Sequence, residues 1–233
     1  LLDILKLETA VQVVEACFYI WVIFALKDLK KMTPRRYIDW VITTPTMLIS
    51  TIVFMEYLKV KEKKDDKDSD IETNESELEN FVILDKNNEN KLELKCNPSL
   101  PKKMKPDDKP RVELKKFIID NKENVTKIVI YNALMLLFGY LGETEILNKT
   151  ISVLVGFIFF FLSFNEIYMN YARYTVHGKQ LFNFLLGVWS LYGFAAFANL
   201  KVKNAAYNIL DVISKNFYGL FLYYYVTKVG IRN

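Results

Sequence analysis

The chain reads as an all-α membrane protein, on three observations. Apolar residues make up 52% of its 233 residues and aromatic residues 15%, more than an ordinary water-soluble domain carries. The apolar residues gather into six stretches of roughly 20 residues, the length that crosses a bilayer core as helix. The charge gathers elsewhere, in one segment between about 59 and 123. The mean hydropathy of +0.09 and the net charge of +4 are therefore averages over two unlike parts.

The six spans fall at about 7–27, 37–58, 125–142, 149–171, 180–199 and 205–227. The third is short and leans on its flanking residues. Residues 1–58 thus hold two spans and residues 124–233 hold four. Between them, positions 59 to 127 carry 17 basic and 17 acidic residues, which cancel. Many Lys, Asp, Glu and Asn with few aromatics predict a charged, mostly disordered loop over 59–123. Its short apolar patches, such as Phe81-Val82-Ile83-Leu84, are candidates for a strand or turn.

Several function classes fall away at this point. No basic face interleaved with aromatics suggests nucleic acid. Cys17 and Cys96 make no disulfide framework and read as free thiols. The lone histidine, His177, lies between the fourth and fifth spans with no second ligand in reach, so no metal site is expected. No hydrolytic or redox constellation is present, and no enzyme is predicted. The chain begins Leu1-Leu2-Asp3 without an initiator Met or a signal-peptide pattern, which reads as a fragment or processed product.

Basic residues set the expected orientation. Lys59, Lys61, Lys63, Lys64, Lys115, Lys116, Arg173, Lys179, Lys228 and Arg232 share one side. Lys27, Lys30, Lys31, Arg35, Lys149, Lys201 and Lys203 share the other. The excess predicts a cytoplasmic long loop and C-terminus. The sequons at Asn74 and Asn124 then face the wrong compartment, and the one at Asn148 hugs the membrane.

Two charged motifs carry the chemistry. Lys215 stands inside the last apolar span, where an ionisable group costs about 2.5–3.5 kcal/mol and marks a functional site by default. Asp211 precedes it by one helical turn on the same face. The second span opens Arg36-Tyr37-Ile38-Asp39-Trp40-Val41-Ile42-Thr43-Thr44-Pro45. Asp39, Thr43 and Ser50 fall within about 40° of one another on that helix and form a polar stripe. A buried acid, a base one turn before it and a mid-helix proline are each costly in lipid.

Arg36-Tyr37-x-Asp39-Trp40-x-x-Thr43-Thr44-Pro45 resembles the third-helix signature of microbial (type 1) rhodopsins. Asp211-x-x-x-Lys215 resembles their retinal-attachment helix, and Trp189-Ser190-Leu191-Tyr192 their sixth-helix pocket pair. Met135 and Gly139, four residues apart, match the fourth-helix pocket pair. The resemblance runs through all six spans in order. It implies a seven-transmembrane-helix bundle, of which this chain supplies helices two to seven, with the first helix missing from its N-terminus. It also implies all-trans retinal held covalently on Lys215 as a Schiff base, in a membrane-lipid setting. Asp39 and Asp211 then serve as counterions, because a buried cation needs nearby anions to keep its proton, and Arg36 balances the surplus negative charge. Trp40, Thr43, Met135, Gly139, Trp189 and Tyr192 form the retinal pocket. Two departures stand out: Gly193 replaces the usual proline, and further ring-packing tryptophans are absent, Trp21 being the only other one.

Ser50 occupies the position where outward proton pumps of this family carry a proton-donating acid, and a hydroxyl is no proton reservoir near neutral pH. The first span carries Glu8, Gln12, Glu15 and Tyr19 at offsets 0, +4, +7 and +11, one narrow helical stripe. Acids along a membrane helix mark ion routes, and rows of acids attract cations in channels. A competing reading leaves Glu8 at the interface with only Glu15 deep. The acidic stripe, the Asp39-Thr43-Ser50 triplet and Lys215-Asn216 resemble the viral rhodopsins and channelrhodopsins. The expectation is a light-gated cation channel with Glu8, Gln12, Glu15 and Asn216 along its path, passing cations or protons. The alternatives are a slow light-driven outward proton pump, and a sensor whose loop contacts a transducer. A homo-oligomer is compatible with either transport reading.

Overall fold

The computed structural model describes the backbone of residues 2–25, 29–85 and 112–229, with side chains at 2–24, 32–64 and 112–228. Among these residues every regular element is helical. The order is α1 (Leu2–Ala25), α2 (Leu29–Asp85), a short α3 (Leu114–Asp120), α4 (Lys122–Glu143), α5 (Lys149–Asn170), a 3-10 turn (Ala172–Tyr174), α6 (Val176–Ala195) and α7 (Leu200–Asp211). The last rod then continues through a π-helical stretch (Val212–Phe217), α8 (Tyr218–Tyr224) and a second π-helical stretch (Tyr225–Val229). The six expected spans are all present as helical rods. Four stretches, Leu2–Phe24, Met32–Lys64, Lys122–Glu143 and Lys149–Tyr174, are long and apolar enough to cross a membrane by themselves.

Boundaries follow local chemistry. Asn148, Thr175 and Asn199 cap α5, α6 and α7 by accepting backbone N–H bonds at 2.9–3.3 Å. Asn148 is thus an N-cap of α5. His177, expected in a loop, sits in the first turn of α6. The largest shift is in α2, which continues to Asp85 instead of ending at 58. No Gly or Pro stands between Pro45 and Pro98, and Lys and Glu are good helix formers, so nothing in this stretch stops the helix. The segment read as a loop therefore opens with helical backbone, which covers positions 81–84 as well. Residues 86–111, with Cys96, lie outside the described residues.

Pro34 and Pro45 both fall inside α2. Around Pro45, which has no N–H to give, Thr43, Thr44 and Thr46 turn their hydroxyls back to the carbonyls four residues earlier at 2.8–3.0 Å. Packing between helices uses small residues, as it must where lipid is as apolar as the core. A methyl added to Gly142 of α4 lies 2.6 Å from Ser152 Cβ of α5, so these helices touch almost backbone to backbone. The main core gathers Met47, Ile52, Phe54, Phe160, Phe164 and Tyr218 around α2, with their exposed counterparts on the lipid-facing surface.

Candidate functional site: the Lys215 centre

Lys215 lies in the π-helical stretch after α7 and is 2% exposed. Its Nζ donates to Asp39 Oδ2 of α2 at 2.5 Å. Asp211 Oδ1, one turn earlier on its own rod, is 3.6 Å away, and Glu15 Oε1 of α1 is 3.9 Å away. Three helices therefore bring three carboxyls to one ammonium. Each is buried, at 2%, 0% and 3% exposure for Asp39, Asp211 and Glu15.

The two aspartates differ in what holds them. Asp211 Oδ1 accepts from Trp40 Nε1 at 3.2 Å and Tyr192 Oη at 2.8 Å; Oδ2 accepts from Arg36 Nη1 at 3.1 Å and Tyr19 Oη at 3.0 Å. Asp39 holds Lys215 through Oδ2 only, and its Oδ1 has no partner. Arg36 is fully buried and also donates through Nη2 to Asn208 of α7. Its guanidinium sits 5.9 Å from the Phe18 ring and 6.0 Å from the Tyr207 ring.

Along α1 the expected stripe faces inward. Glu8 is 3% exposed and faces into the bundle. It accepts a hydrogen bond from Ser50 of α2. Gln12 Nε2 donates to the Lys215 backbone carbonyl at 3.1 Å, and Tyr19 reaches Asp211. Neither oxygen of Glu15 has a hydrogen-bond partner, nor do Glu8 Oε2 and Asn216 Oδ1.

A cavity of about 120 Å³ adjoins the amine. Its walls include Lys215, Trp40, Met135, Gly139, Trp189 and Tyr192. Thr43, expected among them, is absent from the lining: its hydroxyl bonds the Asp39 backbone carbonyl at 3.0 Å, and Thr44 lines the cavity instead. A buried primary amine beside anions, facing an aromatic-walled apolar cavity, suits an apolar aldehyde.

The comparisons with known proteins point the same way. A family model described as "Bacteriorhodopsin-like protein" matches residues 112–229. The chain belongs to the bacteriorhodopsin-like family. A solved structure described as "Crystal structure of viral rhodopsin OLPVRII" shares the fold, with a TM-score of 0.69 and 24% sequence identity. The match covers 97% of this chain and 83% of that one. No curated protein matches the sequence. A member of this family is an integral membrane protein with a retinal chromophore, and the residues around Lys215 fit that group. Trp189 Nε1 is buried without a partner, as befits a ring set to wall a pocket rather than to bond.

Several rhodopsin-site residues were not foreseen from sequence. Phe157 and Phe160 of α5 line the cavity and supply flat walls in place of the missing tryptophans. Phe157 also accounts for Gly193, since a Cβ there meets its ring at 2.3 Å. Asn132 of α4 donates to Thr44 Oγ1 at 2.8 Å, and Tyr218 and Thr51 bond at 2.7 Å. Lys203, counted above as an orienting surface cation, is buried against Glu143 at 2.5 Å. Polar residues alone in apolar spans, such as Asn132, were the available signal.

Proposed function

We propose that this protein is a retinal-binding photoreceptor acting as a light-gated cation channel. The observation that carries the reading is Glu15, a buried carboxyl 3.9 Å from Lys215 Nζ with neither oxygen hydrogen-bonded. At this centre two cations, Arg36 and Lys215, meet three carboxyls, Asp39, Asp211 and Glu15. The surplus negative charge in so buried a place has to be neutralised by a proton or by a cation. Glu15 is the carboxyl free to exchange one for the other.

All-trans retinal, attached covalently to Lys215, supplies light absorption and a light-driven change of shape and charge at Nζ. The chain's own residues do the rest. Trp40, Trp189 and Tyr192 confine the pocket and keep water from it. Asp39 is the acceptor for a proton leaving Nζ, because Oδ1 is unengaged, whereas Asp211 already holds two donors on each oxygen. Transfer cancels one of the two charge pairs joining α2 to the last rod and leaves Arg36–Asp211 in place. Among the described residues, the polar tie between Lys215 and α1 within hydrogen-bond reach is then Gln12 on the backbone carbonyl. Loosened contacts let water and cations follow Glu15, Gln12 and Glu8, with Asn216 beside them. On the proposed topology the long loop and the C-terminus are cytoplasmic.

A second reading, a light-driven outward proton pump, gains from one observation. The acid missing at Ser50 is supplied in space by Glu8, on which the Ser50 hydroxyl is bonded. Glu8 then serves as the proton reservoir that Ser50 is not.

Whole-cell photocurrent against voltage, in retinal-fed cells expressing the full chain, decides between them. A channel gives a current that reverses sign with the cation gradient. Outward current at every voltage rejects the channel and leaves the pump.

A further inference from the structure

Two charged residues take no part in the Lys215 centre and are buried all the same. Glu143 is the last residue of α4, and Lys203 is the fourth of α7. Lys203 Nζ donates to Glu143 Oε2 at 2.5 Å, with the side chains 8% and 7% exposed. Each charge opposes its own helix: the acid stands at the negative C-terminal end and the ammonium near the positive N-terminal end. Neither helix gains from the charge it carries. The pairing compensates; Lys149 is a second cation within electrostatic reach of Glu143, whereas separation leaves the Lys203 charge buried.

The pair spans the bundle at the end that carries the α4–α5 turn. Glu143 lines the same cavity as Lys215, together with Lys149, Tyr37 and Tyr207. Its position is fixed by a tight turn, in which Ile146 N and Leu147 N both donate to Leu141 O at 3.1 Å and Glu145 takes a left-handed φ of 59°. Lys203 is on the same helical rod as Lys215. Lys203, Tyr207, Asp211 and Lys215 follow at every fourth residue along the buried side of the last rod. Tyr207 packs on Trp40 and Tyr192, with ring centroids 5.3 and 5.7 Å away. A shift of this rod at Lys215 is therefore carried along one buried face to Lys203.

We propose that the Glu143–Lys203 ion pair is a latch that shuts the α4–α5 end of the bundle against water while the Lys215 centre is at rest, and that a shift of α7 releases it. The latch rests on retinal attachment at Lys215 and not on the choice between channel and pump. On the proposed topology it closes the outer end.

The test is bleaching of the retinal-loaded full chain in the dark by hydroxylamine, a small nucleophile that reaches the Lys215 linkage through water. Glu143→Gln leaves Lys203 buried without a counterion, and Lys203→Met leaves Glu143 with only Lys149 near it. In both the closing pair is lost, so bleaching accelerates about tenfold or more. Lys203→Arg keeps the charge and the donor, and stays near the wild-type rate. Exchanging the two residues, Glu143→Lys with Lys203→Glu, restores the pair and aligns both charges with their helices, so bleaching returns to the wild-type rate or below. Wild-type bleaching in both neutralised variants overturns the latch, even if their pigment melts earlier, since a merely structural pair does that. If the neutralised variants give no pigment, the exchange carries the test: wild-type bleaching upholds the latch and faster bleaching overturns it. Absence of photocurrent in the wild type sinks the channel reading and leaves this result untouched.

Discussion

The two sides of Lys215 are built differently. Towards the α4–α5 end, Asp211 is held by Arg36, Tyr19, Trp40 and Tyr192, Arg36 is held in turn by Asn208, and Lys203 is paired with Glu143. Towards the other end, Asp39 Oδ1, both oxygens of Glu15, Glu8 Oε2 and Asn216 Oδ1 are buried without hydrogen-bond partners. On the first side Arg36 Nε and Ser152 Oγ also lack hydrogen-bond partners, but both carboxylate oxygens of Asp211 there are engaged. Satisfied buried networks rigidify, and unsatisfied polar atoms welcome water or an ion. One side is made to stay and the other to change. Mutations on the two sides should therefore fail in different ways.

The largest effect removes what both sides share. Lys215→Ala abolishes visible absorption of the retinal-fed protein, and a retained visible band refutes the attachment. Next comes the rigid side. Asp211→Asn leaves the buried Arg36 without its carboxylate, a loss of about 3–5 kcal/mol for breaking a buried pair. The temperature at which the pigment bleaches should fall much further than for Asp39→Asn. Equal losses at the two positions erase the contrast between the two sides.

On the yielding side, Asp39→Asn removes the nearest anion from Lys215 Nζ and shifts absorption to longer wavelength, because positive charge then spreads more easily along the polyene. It also removes the proton acceptor, so the first proton transfer after a flash is lost; a flash transient of wild-type size transfers that role to Asp211. Glu15→Gln keeps shape and loses charge. Pigment formation stays nearly intact, while the reversal potential or the conductance changes. Unaltered photocurrents exclude Glu15 from the path.

Why the sequence showed some of this and not the rest follows from how each residue signals. Lys215, Asp211, Asp39 and Arg36 stand out because a charge inside an apolar span is rare, and helical spacing alone places them on inward faces. The α1 stripe was legible for the same reason, since Glu8, Gln12 and Glu15 repeat at helical offsets. Phe157 and Phe160 gave no such signal, because a Phe-rich span looks the same whether its rings meet lipid or a pocket. Lys203 misled, since charges near helix ends usually face the interface, and only the tertiary packing buries it against Glu143. Thr43 and Thr44 differ by one residue, and periodicity does not settle which of two neighbours meets the cavity. The extent of α2 was misjudged because composition was read as disorder where helix formers ran without a breaker.

The smallest effect sharpens the contrast most. Ser50→Ala removes one hydroxyl that Glu8 accepts from, at a cost of about 1 kcal/mol for a typical hydrogen bond. The change is small in volume and lies away from the cavity lining, so colour and pigment stability stay close to wild type. What changes is Glu8, which then has both carboxyl oxygens unengaged, as Glu15 does. If Glu8 is only a lining group of a cation path, the photocurrent alters slightly in size and keeps its reversal potential. If Glu8 is the proton reservoir of a pump, the last phase of the photocycle, which returns the proton to Lys215, changes rate while the early phases do not. A flash-photolysis trace resolves the two, because only the reservoir ties Ser50 to that one phase. A hydroxyl neutral in every measurement means that Glu8 is held by burial alone.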